Sequence, residues 1–370
     1  MIFFSILSSL FLPIIIIGFF LSFVWRRKKI VHPATDNEWY LQIILSKEDA
    51  VSQFFLLLSI LFLGVTLLAF NKDLGDPFSW QTILFITSVL SLISTYYLKT
   101  LYSLIFGLIA ITAWWVAQAT EWTQDKDITL SAIFVGSAFV GLLFYSLGHL
   151  HEREMKWKRF SFVYLFFGII LITSALFFLS SRTGLSFFEE MTKGVSFFSS
   201  WQITLSLFIL LVFILGVSLY IVTKKLVSSF EFLAILSLTF LFGVIALLPQ
   251  QSIFFQAGDF YNSYFGGKQL SGSGVLWAII FNLVIFFELL GLIFSGYLRR
   301  ETWLINLGAI LLSLLIIVKY ADWFFTFLGK SIFFIGAGIL LFVVGWFMEK
   351  GRRVMISNIK EQTQTQQISQ

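Results

Sequence analysis

The sequence predicts an all-α fold, a polytopic transmembrane helical bundle of about eleven transmembrane helices with its N-terminus outside and its C-terminus cytoplasmic. Three observations point there. Charged residues make up 12% of the 370 residues, against about 25% in soluble domains, so the polar surface that water requires is missing. Apolar residues make up 58%, the mean hydropathy is +0.91, and the apolar stretches run for about 20 residues, enough for a helix to cross a hydrocarbon core of roughly 30 Å. Lys and Arg gather between these stretches, as topology determinants do. The stretches are continuous and do not alternate, which excludes a β-barrel. The net charge of +5 is therefore a topology signal, and no nucleic-acid partner is expected.

The first span, residues 2–24, has no positive segment before it and no small-residue cleavage site. Arg26, Arg27, Lys28 and Lys29 follow it. It reads as a retained helix and not as a cleaved signal peptide. Residues 25–50 form a cytoplasmic connector, broken at Pro33 and carrying an apolar patch at 39–45. Ser46 and Asp49 have capping-box spacing and should start the next helix.

The bundle occupies residues 51–348. Its first two spans cover about residues 51–70 and 80–98, joined by an external turn containing Gly75 and Pro77. The next covers about residues 101–119. Gly107, Ala110, Ala113 and Ala117 form a small-residue stripe on it. Trp114, Trp115 and Trp122 are assigned to the outer aromatic belt. A span at about 129–148 leads into a charged cytoplasmic connector, 149–159, and then to a span at 160–180.

Residues 181–200 lie outside. Leu185, Phe188, Met191, Val195 and Phe198 recur at helical spacing there, which predicts an amphipathic helix on the membrane surface. Spans follow at about 201–222, ended by Lys224 and Lys225, and at 230–248. The longest external loop, 249–273, precedes a span at 274–300 that ends in Arg299 and Arg300. Two more spans, 302–318 and 331–348, complete the bundle, and a polar tail at 349–370 is read as disordered and cytoplasmic. On this topology roughly 18 of the 25 Lys and Arg residues fall inside.

Glu288 is the one ionisable side chain placed deep in a span. Such a group costs at least about 2.5–3.5 kcal/mol on insertion scales, so it needs a partner, a proton or a cavity. One reading is a proton, cation or substrate site. The other is a neutral acid bonded to a neighbouring helix, because burial disfavours the charged form. Asn282 on the same span and Asn306 on the next are the polar partners at hand. Lys319 and Asp322 are read as an interface anchor. The basic residues Arg26, Arg27, Lys28, Lys29, Lys156, Lys158 and Arg159 are candidates for binding lipid headgroups.

Other chemistry is limited by what is missing. The absence of cysteine removes disulfides, thiol catalysis and thiolate metal sites. His32, His149 and His151 are expected in loops, which excludes a histidine-ligated haem inside the bundle. The His149-x-His151-Glu152-x-Glu154 run is read as a solvated or lipid-headgroup-binding connector and not a metal site, because histidines two apart do not share a helical face and no third ligand can be assigned. Gly272-Ser273-Gly274 has no histidine base in a span, so intramembrane serine proteolysis is not expected. Gly258-Asp259 has no second membrane aspartate, so aspartyl proteolysis is not expected either. No phosphate-binding loop is present. No metal or cofactor is expected, and an integral-membrane enzyme ranks third among the readings, because spans and loops lack any paired catalytic set.

The C-terminal fifth carries Trp303, Asn306-Leu307-Gly308, Lys319-Tyr320-Ala321-Asp322-Trp323-Phe324, Lys330-Ser331, Gly336, Gly338, Gly345, Glu349-Lys350 and Arg352-Arg353. This resembles the C-terminal helical pair of a family of bacterial predicted membrane proteins, domain of unknown function 2157. The resemblance implies a bacterial cytoplasmic membrane. The family has no established activity, so it implies no site residue. Two function classes stay open: transport or lipid handling through a cavity that Glu288 faces, and a non-catalytic scaffold or regulatory subunit of a membrane complex. The partners expected are membrane lipids, with a membrane-protein partner or a second copy of the chain left open.

Overall fold

The computed structural model describes residues 47–123, 129–152, 157–181, 184–185, 200–247, 254 and 271–324, with scattered positions between 335 and 353. Among these residues there are helices and turns and no strands. The long helices are α1 (Lys47–Asp73), α2 (Trp80–Leu98), α3 (Leu101–Trp122), α4 (Thr129–His151), α5 (Lys158–Ser180), α6 (Trp201–Thr223), α7 (Ser229–Leu247), α8 (Gly272–Arg299) and α9 (Thr302–Phe324). Each contains a stretch long and apolar enough to cross a membrane. They match nine of the expected spans. The span at 2–24 and Ser46 lie outside the described residues. So do the external loop apart from Phe254 and residues 271–273, and the surface helix apart from Ser181, Gly184 and Leu185. In the last expected span, the described positions 335–336, 338–339, 342–343 and 345–346 are helical.

The chain forms two compact units, Met1–Ile172 with Val195–Leu248, and Thr173–Gly194 with Pro249–Gln370. Helix α5 thus gives its first part to the first unit and, from Thr173 onward, its last part to the second.

In the first unit, α2 packs on α3, α1 packs against both, α3 packs on α4, and α4 packs on α6 and α7. The packed faces are unusually polar. On α2 the buried residues are Gln81, Ile83, Thr87, Ser88, Ser91 and Thr95, while Phe85, Ile86 and Ile93 are exposed. Three of these hydroxyls bond backbone carbonyls: Thr87 donates to Ile83 O at 2.9 Å, Ser88 to Leu84 O at 2.7 Å, and Ser91 to Ser103 O on α3 at 2.8 Å. Small hydroxyl residues inward and bulky apolar residues outward is the arrangement of helices solvated by lipid. The exposed Phe208, Phe213 and Phe240 fit the same solvent and would be an aggregation liability in water.

Helix starts are capped as backbone accounting requires. The α3 N-cap residue, Thr100, makes no side-chain cap bond. Instead Gln53 Oε1 reaches over from α1 and accepts from Leu101 N at 3.0 Å and Tyr102 N at 3.3 Å. Before α7, Ser228 and Glu231 form a reciprocal capping box, and Glu231 is buried there. That spacing is visible in the sequence and could have been read from it.

Four helix exits close the same way. The residue after a left-handed position donates to the carbonyl five residues back: Asp76 to Asn71, Thr100 to Thr95, Leu226 to Ile221 and Glu301 to Gly296. This is the Schellman closure, whose left-handed residue is usually glycine. Gly75 fills it after α1, but Lys99, Lys225 and Arg300 fill it elsewhere, at φ of 55–59°. A residue with a Cβ costs roughly 1–2 kcal/mol in that conformation.

Three expectations are corrected. Trp115 is not in an aromatic belt. It is 2% exposed, with its indole against Gly136 of α4, where a Cβ would sit 2.0 Å from the ring. The stripe Gly107-Ala110-Ala113-Ala117 does not face one partner. Gly107 and Ala110 are buried but Ala113 is exposed, because each three-residue step falls about 60° short of a full helical turn. His149 and His151 are not in a loop, since α4 continues through His151. The loop-based exclusion of histidine chemistry therefore lapses.

Helices α4 and α5 approach closely at Gly141 and Gly168. A Cβ on Gly168 would lie 2.6 Å from Tyr145 N and 2.8 Å from Gly141 O, both backbone atoms that cannot swing aside. Gly168→Ala should therefore destabilise the protein by about 1–3 kcal/mol, read as a lowered midpoint of thermal unfolding in detergent. An unchanged midpoint would refute this packing.

Candidate functional site

The polar residues inside the second unit lie between α5, α8 and α9. Helix α8 begins at Ser271, whose side chain accepts from Gly274 N. The backbone of Phe254 passes so near Gly274 that a Cβ would lie 1.8 Å from its carbonyl oxygen. The Gly272-Ser273-Gly274 sequence thus serves this helix start, and Ser273 bonds Ser271 at 2.9 Å. Further along, Phe281, Ile285, Leu289, Leu292 and Gly296 form the buried stripe of α8. Gly296 meets Ile305 of α9, and Gly308 meets Ile293, so the two helices run antiparallel.

Glu288 stands beside this stripe, one turn from Ile285. Its Oε1 accepts a 2.8 Å hydrogen bond from Thr173 Oγ1 on α5. Thr173 is 1% exposed. Glu288 Oε2 is buried and has no hydrogen-bond partner among the described residues.

A second polar level lies about two turns away. The Ser180 carbonyl, at the end of α5, accepts from Asn282 Nδ2 at 3.2 Å and from the Lys319 ammonium. Asn282 also donates to Ala278 O at 2.6 Å. The pairs 173–288 and 180–282 show α5 and α8 antiparallel here. A cation at the carbonyl end of α5 is favourably placed against its helix dipole. Lys319 thus ties the end of α5 to α9. It lies within α9, which runs past the expected end of that span to Phe324. The Asp322 side chain lies outside the described residues.

The sequence reading thus found the carboxyl but not its partner. Asn282 bonds Ser180, not Glu288. Asn306 lies on α9 two residues before Gly308, and the α8–α9 register puts it about two turns along from Glu288. The partner is Thr173, one of many hydroxyls on spans, and no spacing in one chain distinguishes it.

Of the basic candidates, Lys158 is half-buried at the start of α5 and Arg159 is exposed. Arg26, Arg27, Lys28, Lys29 and Lys156 lie outside the described residues.

The first unit holds a polar chain that was not expected. Tyr96 Oη lies 3.0 Å from His151 Nε2 and 2.9 Å from Tyr164 Oη. His151 Nδ1 lies 2.7 Å from Leu147 O, which can only accept. In the neutral imidazole Nδ1 therefore carries the hydrogen, Nε2 accepts from Tyr96, and Tyr96 accepts from Tyr164. His151 stacks on Tyr164 at 5.2 Å, with Trp157 and Phe160 against Tyr96. His149 is 1% exposed and bonds Glu152 at 3.1 Å. The expected solvated connector is thus a buried aromatic cluster at its start. Histidines two apart do serve different partners, as their angular separation requires. Among the described residues no three His, Asp or Glu side chains gather as a metal site.

No family model matches this chain, and no curated protein or solved structure is similar to it. The function rests on the chain's own geometry.

The Thr173–Glu288 bond gives a direct test. In a double-mutant cycle of Thr173→Val and Glu288→Leu, the expected coupling is about 0.6–1.7 kcal/mol, the range for hydrogen bonds between membrane helices. Unfolding in mixed micelles measures it. Strict additivity of the two changes would remove the bond from the argument.

Proposed function

We propose that this chain is a multi-pass protein of a bacterial cytoplasmic membrane, related to the domain-of-unknown-function family its C-terminal residues resemble. In this reading it has about eleven spans and moves a solute or handles lipid by means of the Glu288 carboxyl. One observation carries the reading: one oxygen of that carboxyl is held by Thr173, and the other is buried without a partner among the described residues. A bare carboxylate in apolar surroundings is expensive, so the group holds a proton or meets a cation or substrate there. Thr173 fixes the carboxyl while leaving Oε2 for that exchange. Membrane lipids are the partners, and Lys158 and Arg159, with Arg26–Lys29 and Lys156, bind headgroups on the inner side.

A second reading has its own support. Enclosure of the carboxyl between α5 and α8 suits a scaffold or regulatory subunit in which Glu288 only ties helices together. Glu288→Gln separates the two, because the amide keeps a carbonyl for Thr173 and discards the exchangeable proton. In proteoliposomes under an imposed potential, a proton-coupled carrier should move protons, and Glu288→Gln should lower that flux at least about tenfold, equivalent to 1.4 kcal/mol in a barrier. Equal fluxes, together with no labelling of Glu288 by a hydrophobic carbodiimide, would leave the scaffold.

The orientation is supported by charge within the first unit. The Tyr96–His151 and Gln53–Leu101 bonds gather the start of α1, the α2–α3 turn and the end of α4 at one end. Ser146 and Ser218, 3.4 Å apart, bring the later part of α6 toward it. The described basic residues at this end are Lys47, Lys99, Lys158, Arg159, Lys224 and Lys225, and at the other end only Lys72. Acids occur at both ends, Glu48, Asp49, Glu152 and Glu231 here and Asp73, Asp76 and Glu121 there, so the asymmetry is one of Lys and Arg and not of net charge. The positive end is cytoplasmic. The natural chain has no cysteine, so a cysteine at position 76 should react with an impermeant maleimide on intact cells, and one at 225 only after permeabilisation. The reverse pattern would invert the topology.

A further inference from the structure

We propose that Lys99 and Lys225, with Lys158, Arg159 and Lys224, form a docking surface for the headgroups of anionic phospholipids. The inference rests on the membrane reading of the chain but not on any role of Glu288.

The four Schellman closures supply the first observation. The backbone task is the same in each, and Gly75 performs it at one end of the first unit. At the opposite end the same task falls to Lys99 and Lys225, both exposed and both held at a left-handed φ of 55°. The second unit repeats the choice with exposed Arg300, at φ 59°. Glycine would close these turns with less strain. What these residues add is a cation placed just beyond the end of a span.

Neutralising the helix dipole does not account for the choice at Lys225 and Arg300. Lys224 precedes Lys225, and Arg299 precedes Arg300, so a cation already stands at each of those carbonyl ends without strain. At the end of α6 the second cation, Lys225, is surplus to the helix dipole.

The second observation identifies the occupant. Each cationic turn carries an exposed tyrosine on the helix side: Tyr97 before Lys99, Tyr220 before Lys224 and Tyr297 before Arg300. Lys224 Nζ lies 5.8 Å from the Tyr220 ring centre. Tyrosine at the end of an apolar span marks the headgroup level of a bilayer. A cation just past it meets lipid phosphodiesters, and anionic lipids add surface charge that a soluble anion would lack.

The test uses the full-length protein in nanodiscs of phosphatidylcholine alone or with about one-third phosphatidylglycerol. The wild type should gain thermal midpoint in the anionic discs, and added salt should remove the gain. The Lys99→Gly/Lys225→Gly variant should match or exceed the wild type in phosphatidylcholine, because glycine fits both turns. It should lose at least half of the gain from phosphatidylglycerol. Lys99→Gln/Lys225→Gln keeps a side chain at the strained position and should lose the same share of the gain. A full gain in either variant overturns the proposal. So does a glycine variant that is weakened equally in both lipids, since the lysines would then be serving the fold alone.

Discussion

A helix in lipid must satisfy its polar groups from within the protein, because hydrocarbon offers no hydrogen bonds. That constraint orders the described helices. Thr87, Ser88 and Thr239 return their hydroxyls to the carbonyl four residues earlier, so each can be buried without a distant partner. Ser91 spends its hydroxyl on the neighbouring helix and draws α2 to α3. Gln53 does the same for the exposed amides at the start of α3. Many large aromatic and branched side chains, Phe208, Phe213 and Phe240 among them, turn outward, where lipid would solvate them as well as a protein core does.

Among the described residues this accounting stays open at a few buried atoms, on Thr66, Thr95, Thr100, Ser103 and Trp115 among others, and Glu288 is the one carboxyl of that set. Its two oxygens differ in circumstance: one has a donor on another helix, and the other is enclosed without a partner among the described residues. A wholly structural acid would gain from a second donor, while a working acid needs an oxygen free to exchange. The nearby level formed by Asn282, Lys319 and the Ser180 carbonyl shows the alternative, a helix end whose acceptor is engaged twice. The two levels share α5 and α8, so any movement between those helices would affect both.

The charged residues at helix exits meet the same solvent from its other side. Glycine at 75 and lysine at 99 and 225 perform one backbone function with different side chains. The difference follows the end of the unit and not the geometry of the turn. Positively charged connectors are usually treated as signals read during insertion. They stand at strained turns beside exposed tyrosines.

Much of the fold was legible in the sequence. Runs such as 80–98 and 201–222 are long and apolar enough that only a helix can carry them through a bilayer, and their limits agree with α2 and α6 to within a residue. The lone acid in the span ending at Arg299 and Arg300 was equally plain, because charge is so rare there. What composition and periodicity left undecided was which side chains meet. Trp115 looks like an interfacial tryptophan until Gly136 on another helix makes room for it. His149 and His151 look like loop residues until the aromatic rings around them extend the helix. Thr173 is indistinguishable from a dozen other hydroxyls until α5 and α8 lie antiparallel. The sequence alone determined that this chain is a set of lipid-length helices with one acid near the middle of a span, since hydrophobic length is a local property. Only the tertiary structure decided which groups that acid and those histidines touch, because a hydrogen bond between helices depends on their register and rotation, which no single span contains.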